Sequence, residues 1–255
     1  MIPMFKEYRL FSGHSPTDWA TLLERNSFLN TLVSQLLGFD NRLKLTLKYS
    51  ERHSSVLDLG CGDGTFLALL GLFSRTCVGL DFSRPNLNAA ASKYSSLTSN
   101  QLVEGKFENL PFQDSTFDTI ISWGAFEHDE RGLDIALFEA LRVLKPKGTI
   151  IITTPYDDEH ARYMSSYLYK PNSNNTFFQY YTNERDILSL CDRTNSRLIR
   201  WGFSGPKVFA KQFPGLYKRI SNKYTLLRLA LFLFNVFPIG RSSRLMAYYI
   251  IRKNK

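Results

Sequence analysis

Among its 255 residues the sequence has only three cysteines (Cys61, Cys77 and Cys191), with no CxxC pair and no even-numbered set. That excludes a disulfide framework and a thiolate zinc site, and it fits a reducing, cytoplasmic setting. No His, Cys and Asp spacing points to a metal, and His14 and His53 read as surface residues. The N-terminal MIPMFKEYRLFSG lacks the apolar run of a secretory signal. Long hydrophobic runs are also missing. The longest, Leu226–Ile239, is broken by Arg228 and Asn235. As a helix it would reach about 21 Å, short of the roughly 30 Å hydrocarbon core, so it does not span a membrane by itself. The sharpest absence is of negative charge, because no Asp or Glu follows Asp192.

What is present supports a folded core, with 44% of residues hydrophobic and 14% aromatic. The net charge of +9 is an average of two unlike parts. Residues 193–255 carry +14 and residues 1–192 carry −5. An anionic partner would therefore meet the C-terminal quarter.

Apolar positions at helical spacing over residues 16–48, from Trp19 to Leu37 with a break at Gly38, predict two N-terminal helices. From Ser55 the texture changes. Short apolar runs at Val56–Leu59, Thr76–Leu80, Phe117–Ser122 and Gly148–Thr153 alternate with helical segments near Phe66–Phe73, Arg84–Ser95 and Gly132–Val143. Such alternation predicts an α/β fold with right-handed crossovers and a mostly parallel sheet covered on both faces. The stretch after Pro155, YDDEHARYMSSYLYKPNSNNTFFQYY, is too rich in Asn, Ser and Tyr for a core element and reads as a loop or short-helix cover. A helix capped by Asn183 follows, then strands at Arg197–Gly202 and Leu245–Arg252, with about 40 residues between them.

The string Val56-Leu57-Asp58-Leu59-Gly60-Cys61-Gly62-Asp63-Gly64-Thr65 reads as a buried strand, a glycine turn and a helix start. Gly60, Gly62 and Gly64 let the backbone approach a ligand closely, and the helix start offers unpaired N–H groups. The spacing is GxGxG, with Thr65 where a dinucleotide fingerprint has glycine, and no Lys-Ser/Thr follows, which excludes a phosphate-cradling P-loop. Asp58 would repel a pyrophosphate but suits an ammonium group. Asp81, 21 residues after Gly60 at the second strand tip, can take both hydroxyls of a ribose. The ligand implied is a nucleoside with a cationic amino-acid tail.

In these residues the chain resembles the class I S-adenosylmethionine-dependent methyltransferases of the type-11 small-molecule group, which includes the quinone-ring methylases. The resemblance runs through VLDLGCGDGTFL, VGLDFS, FENLPFQDSTFDTIISWGAFEH and LRVLKPKGTIIITTP, over roughly residues 55–155. It implies a Rossmann-like seven-stranded, mostly parallel sheet with helices on both faces and an antiparallel last strand. A helical cap would occupy residues 1–50, and a basic hydrophobic insertion residues 204–244, between the two parts of the cofactor domain, 51–203 and 245–255. The implied cofactor is S-adenosyl-L-methionine. Asp58 would meet its methionine end, Gly60, Gly62 and Gly64 would form the close turn, Asp81 would clamp the ribose, and Phe82 would wall the adenine. Where family members carry an acid for the adenine amino group this chain has Lys106, which leaves Phe107 backbone groups as readers and Glu108 nearby. Ser122 and Trp123 would line the methionine portion. Glu127 and His128 would sit where the methyl group points, with His128 as proton acceptor for a hydroxyl nucleophile. His160, Tyr156, Tyr180 and Tyr181, in the expected cover, are weaker candidates for that role.

An amino-directed nucleic-acid methylase carries Asn/Asp-Pro-Pro-aromatic at the fourth strand tip, and this chain has Ser122-Trp123-Gly124-Ala125. Nucleic acid is therefore disfavoured as a partner. The insertion combines the run LLRLALFLFNVFPI with seven basic residues outside it, from Lys207 to Arg244. It reads either as a lid over the pocket or as a helix in an anionic membrane surface. The expected function is methyl transfer to a small-molecule or lipid-linked acceptor, at oxygen or at a ring carbon. A non-catalytic S-adenosylmethionine-binding module and an RNA-modifying enzyme using the basic tail remain the alternatives.

Overall fold

The computed structural model describes residues 7–11, 41–73, 75–94, 101–129, 132–157, 176–204 and 246–255. In chain order its elements are β1 (Glu7–Phe11), α1 (Arg42–Tyr49), β2 (Ser55–Leu59), α2 (Thr65–Gly71), β3 (Thr76–Asp81), α3 (Arg84–Lys93) and β4 (Leu102–Glu104). These are followed by β5 (Phe117–Trp123), a 3-10 turn (Phe126–His128), α4 (Leu133–Val143), β6 (Leu144–Pro155), β7 (Thr176–Tyr180), α5 (Glu184–Arg193), β8 (Ser196–Ser204) and β9 (Met246–Lys253).

Seven strands form one sheet in the order β4-β3-β2-β5-β6-β9-β8. From β4 to β6 all neighbours are parallel, and β9 runs antiparallel to both β6 and β8. The fold is the expected Rossmann-like sheet with an antiparallel last strand. Because β3 and β4 lie on one side of β2 while β5 and β6 lie on the other, the order reverses between β2 and β5. Such a switch opens a crevice outside the carboxyl ends of the strands, and that is where ligands of open α/β sheets sit.

Strand alternation divides the core in two. Val56, Ile121, Ile151 and Ile250 face one layer with Leu43 of α1, Phe66 and Leu67 of α2, and Leu87 and Ala90 of α3. Leu57, Leu59, Ile120, Ile150 and Ile251 face the other with Leu133, Leu137 and Leu141 of α4 and Ile187 and Leu190 of α5. Helices thus cover both faces, which is why the central strands read as continuous apolar runs. The α5 cap is a full capping box. The Asn183 side chain accepts from the Arg185 and Asp186 amides, and Asp186 accepts from the Asn183 amide.

Two expectations are corrected. The aromatic stretch after Pro155 is not all cover: Thr176–Tyr180 is a strand, and Tyr180 and Tyr181 are buried. Nor is the N-terminal part wholly helical, since Glu7–Phe11 pairs antiparallel with β7. The same physical reason underlies both, because each strand exists only through a partner about 170 residues away. The short β4, three residues, was also not read. The expected helical span 16–48 is described only from residue 41 on, where α1 lies. His14, His160 and nearly all of the 204–244 insertion fall outside the described residues. Among the described residues no helix is long and apolar enough to cross a membrane.

Candidate cofactor and acceptor site

The site begins where β2 ends. The Gly60 and Cys61 amides both donate to the Leu80 carbonyl, at 2.8 and 3.1 Å, which ties the glycine turn to the neighbouring strand tip. Gly60, Gly62 and Gly64 hold left-handed φ angles of 83°, 54° and 71°. At Gly60 space decides as well, because an added Cβ would overlap the Ala125 Cβ beyond the tip of β5. The turn is thus pressed against β5 with no room for a side chain. Behind it, Asp63 accepts from the Thr65 amide and hydroxyl and from Lys93 Nζ at 2.6 Å, so the start of α2 is fastened to the end of α3.

Asp81 stands at the tip of β3 with one oxygen accepting from the Gly62 amide and the other from the Ser83 amide, both at 2.9 Å. With the Asn86 side chain as a third donor, the carboxylate keeps acceptor capacity for a ligand hydroxyl. Burial holds this carboxyl above the ordinary carboxylate range, opposed by the Ser83 and Gly62 amides and the Asn86 side chain.

Asp58 is 2% exposed, and its Oδ1 has no hydrogen-bond partner among the described residues. Its carboxyl is pushed up to about 7 by burial, lowered by the Arg42 guanidinium of α1 and raised by Asp81. Trp123 at the tip of β5 packs edge-on against Phe66, with ring centroids 5.7 Å apart, and its buried Nε1 likewise lacks a partner among the described residues. Buried polar groups are normally paired, and an orphan costs about 1–3 kcal/mol, so these two mark a place built to receive polar groups.

The expected residues assemble unevenly. Asp58, Gly60, Gly62, Gly64 and Asp81 converge on the crevice. Phe82 directly follows Asp81 and is 62% exposed, a bare ring at its edge. The Phe107 ring packs on Phe126 at 5.2 Å and lies beside Gly60, while Lys106 is exposed and Glu108 half-buried. The Ser122 hydroxyl is spent within the sheet, donating to the Leu59 carbonyl at 2.9 Å, so it ties β5 to β2. His128 is half-buried at the end of the 3-10 turn, where its amide donates to the Ala125 carbonyl. The Tyr156 hydroxyl donates to Glu184, and its ring stacks on Trp201.

One residue stands out that the sequence placed but did not assign a role. Glu127 is 2% exposed, its carboxyl is pushed up to about 8 by burial, and its Oε2 has no partner among the described residues. The only sequence signal was its position beside His128 after a strand tip. Burial, with Asp58 and Asp81 close by, drives the Cys61 thiol far above its usual range, so it is no nucleophile. Among the described residues no cluster of His, Cys, Asp and Glu could hold a metal ion.

These residues fit a cationic nucleoside. The orphaned Asp58 oxygen suits an ammonium group, the remaining acceptor capacity of the Asp81 carboxylate suits a ribose hydroxyl, and the turn beside them carries no side chain at Gly60, Gly62 or Gly64.

Comparison with known proteins agrees. A family model described as a methyltransferase domain matches residues 57–152. The glycine/sarcosine/dimethylglycine N-methyltransferase of Actinopolyspora halophila is 32% identical over 111 residues, covering 42% of this chain and 20% of that protein. The malonyl-[acyl-carrier protein] O-methyltransferase of Methylococcus capsulatus is 39% identical over 101 residues, 39% of this chain and 36% of that one. The chain thus spans between a fifth and about two fifths of the length of these relatives. Among solved structures, one described as a complex between the Haloferax volcanii Trm112 methyltransferase activator and the putative methyltransferase shares the fold, with a TM-score of 0.63 at 17% identity, covering 93% of this chain and 97% of that one. These matches fall on the glycine turn and the strand tips around it, so residues 57–152 are similar to a methyltransferase domain, and S-adenosylmethionine is the cofactor such a domain implies.

Proposed function

We propose that the chain transfers a methyl group from S-adenosylmethionine to a small-molecule or lipid-linked acceptor, at an oxygen atom, with ring carbon as the second choice. The observation that carries this reading is the orphaned, buried Asp58 oxygen beside a glycine turn and a ribose-ready Asp81. That combination serves a ligand that is both a nucleoside and a cation. Bound there, the cofactor supplies a methyl group already activated for transfer, so the protein has two tasks: to hold the acceptor in line and to take up its proton.

The turn Phe126–His128, at the carboxyl end of β5, offers two groups for that proton, His128 and Glu127. A proton acceptor is required for a hydroxyl nucleophile, which favours oxygen. The relative named for malonyl-[acyl-carrier protein] O-methylation supports an oxygen on a carrier-linked acceptor. A matching relative is named for N-methylation, so the acceptor atom is a question for experiment. Incubation with methyl-labelled cofactor and fractionated cell extract, lipids included, should label the small-molecule or lipid fraction. Label confined to RNA would overturn the acceptor class.

The +14 of residues 193–255 and the apolar run Leu226–Ile239 support a peripheral site of action on the cytoplasmic face of an anionic membrane, through residues 204–244. Each Lys or Arg near such a surface contributes about 1 kcal/mol, so a handful of them suffices for attachment.

A further inference from the structure

Glu127 lies on the other side of the reversal in strand order from Asp58 and Asp81. Asp58 and Asp81 end β2 and β3, whereas Glu127 follows the tip of β5, and its turn packs against β6, β7 and α4. Gly124, just past the tip of β5, holds a left-handed φ of 72°. A Cβ there would stand 3.4 Å from Glu127 Oε1 and 3.8 Å from Met246 Cε, at the start of β9. Met246 pairs with Pro155 and Ser204, so the carboxyl also stands at the carboxyl ends of β6 and β8. A fully buried carboxyl with an oxygen unpartnered among the described residues, on the acceptor side of the switch point, has no structural task in view.

Resting on the methyltransferase reading above, we propose that Glu127 is the catalytic residue that binds the nucleophilic oxygen of the acceptor and takes its proton. The acceptor oxygen forms the new bond to the methyl carbon. The carbon–sulfur bond breaks, with its electron pair staying on sulfur, and the hydroxyl proton moves to the Glu127 carboxylate, which returns it to water as product leaves. His128 is the less suited of the two, since neighbours on a 3-10 turn point about a third of a turn apart and only Glu127 is driven into the interior.

The titration of Glu127 fits this role. Titratable groups on its own turn are His128 and Asp129. The packed elements bring Tyr180 from β7 and Asp134, Glu139 and Arg142 from α4, while the lysines of β6, Lys145 and Lys147, lie at that strand's opposite end. Burial is the cause of the upward shift, opposed only by the Glu127 amide. A positive charge arriving beside the carboxyl would ionise it, making the base when the cofactor is loaded.

S-adenosylmethionine and S-adenosylhomocysteine differ in the methyl group and the sulfonium charge, and they share the ammonium that Asp58 would meet. Calorimetry of both ligands in buffers of unlike ionisation enthalpy, at a pH between 7 and 8, isolates the protons released to the sulfonium alone. The full chain should release more protons with S-adenosylmethionine. In Glu127→Gln that excess should vanish while affinity for S-adenosylhomocysteine is kept. An excess that persists in Glu127→Gln, or that is absent from the unsubstituted chain when both ligands bind, overturns the assignment. Binding of neither ligand to the folded protein would instead sink the methyltransferase reading and this inference with it. Carboxyl-carbon NMR of the unsubstituted chain reads the same point should Glu127→Gln not fold: the Glu127 signal should titrate at lower pH with S-adenosylmethionine than with S-adenosylhomocysteine, and equal titration overturns the role.

Discussion

Asp58 couples the cofactor site to pH. In the unfolded chain its carboxyl titrates near 3.8, and in the folded protein near 7. Between these values the native state holds a proton that the unfolded state has lost, so ligand-free stability falls as pH rises from about 4 to 7 and then levels. A bound ammonium acts in the opposite sense, because it favours the ionised form. Affinity for S-adenosylmethionine should therefore climb with pH up to about 7. Asp58→Asn should flatten this dependence and weaken binding about tenfold or more, the worth of a charge-assisted hydrogen bond, with a Tm at pH 8 no lower than that of the parent. Calorimetric titration and thermal melts across that pH range check both halves. Asp58 and Asp81 were legible in the sequence because their positions relative to Gly60 are fixed by covalent chain length. The position of Glu127 was legible too, but not its burial, which depends on how the turn after β5 packs against β6 and β7 and which no local pattern records. The Ser122 hydroxyl shows the same: its position was legible, but not the Leu59 carbonyl that takes it up.

The element that matters most is the β2–turn–α2 unit and its fit against β5. Gly60→Ala would place a methyl group into Ala125 and force a left-handed backbone on a residue that resists it, at a cost of about 1–2 kcal/mol before any displacement. We expect a lower Tm and loss of S-adenosylmethionine binding together, since the turn cannot yield without leaving the β5 tip. Unchanged binding in a folded Gly60→Ala chain would show that the turn is not the contact surface. The central strands β2, β3, β5 and β6 could be read because they are buried on both faces and so appear as unbroken apolar runs. The α5 start could be read because Asn183 and Asp186 cap it locally. By contrast β1 and β7 owe their existence to each other, with Glu7 opposite Tyr180, and nothing within either segment announces the pairing.

At the scale of the molecule, the charge split is the widest signal. The first 192 residues are slightly acidic and hold the glycine turn with Asp58 and Asp81, and most of the basic excess falls in residues 204–244 of the sequence. If those residues meet an anionic membrane, the chain should float with liposomes containing phosphatidylglycerol, and Leu229→Asp with Phe232→Asp should abolish flotation. Flotation that survives both changes would reject the insertion as the anchor. The order of strands and helices from residue 55 to 155 was readable because each β–α unit is completed within a short stretch of chain. The acceptor was not, because matching relatives are named for N-methylation and for O-methylation alike. The central claim is cofactor binding in the crevice between β2 and β5, and calorimetric titration of the full chain with S-adenosylmethionine tests it most directly. The account predicts one saturable site, weakened about tenfold or more in Asp81→Ala through loss of the ribose contacts. A folded chain that shows no binding, or binding indifferent to Asp81→Ala, would contradict it.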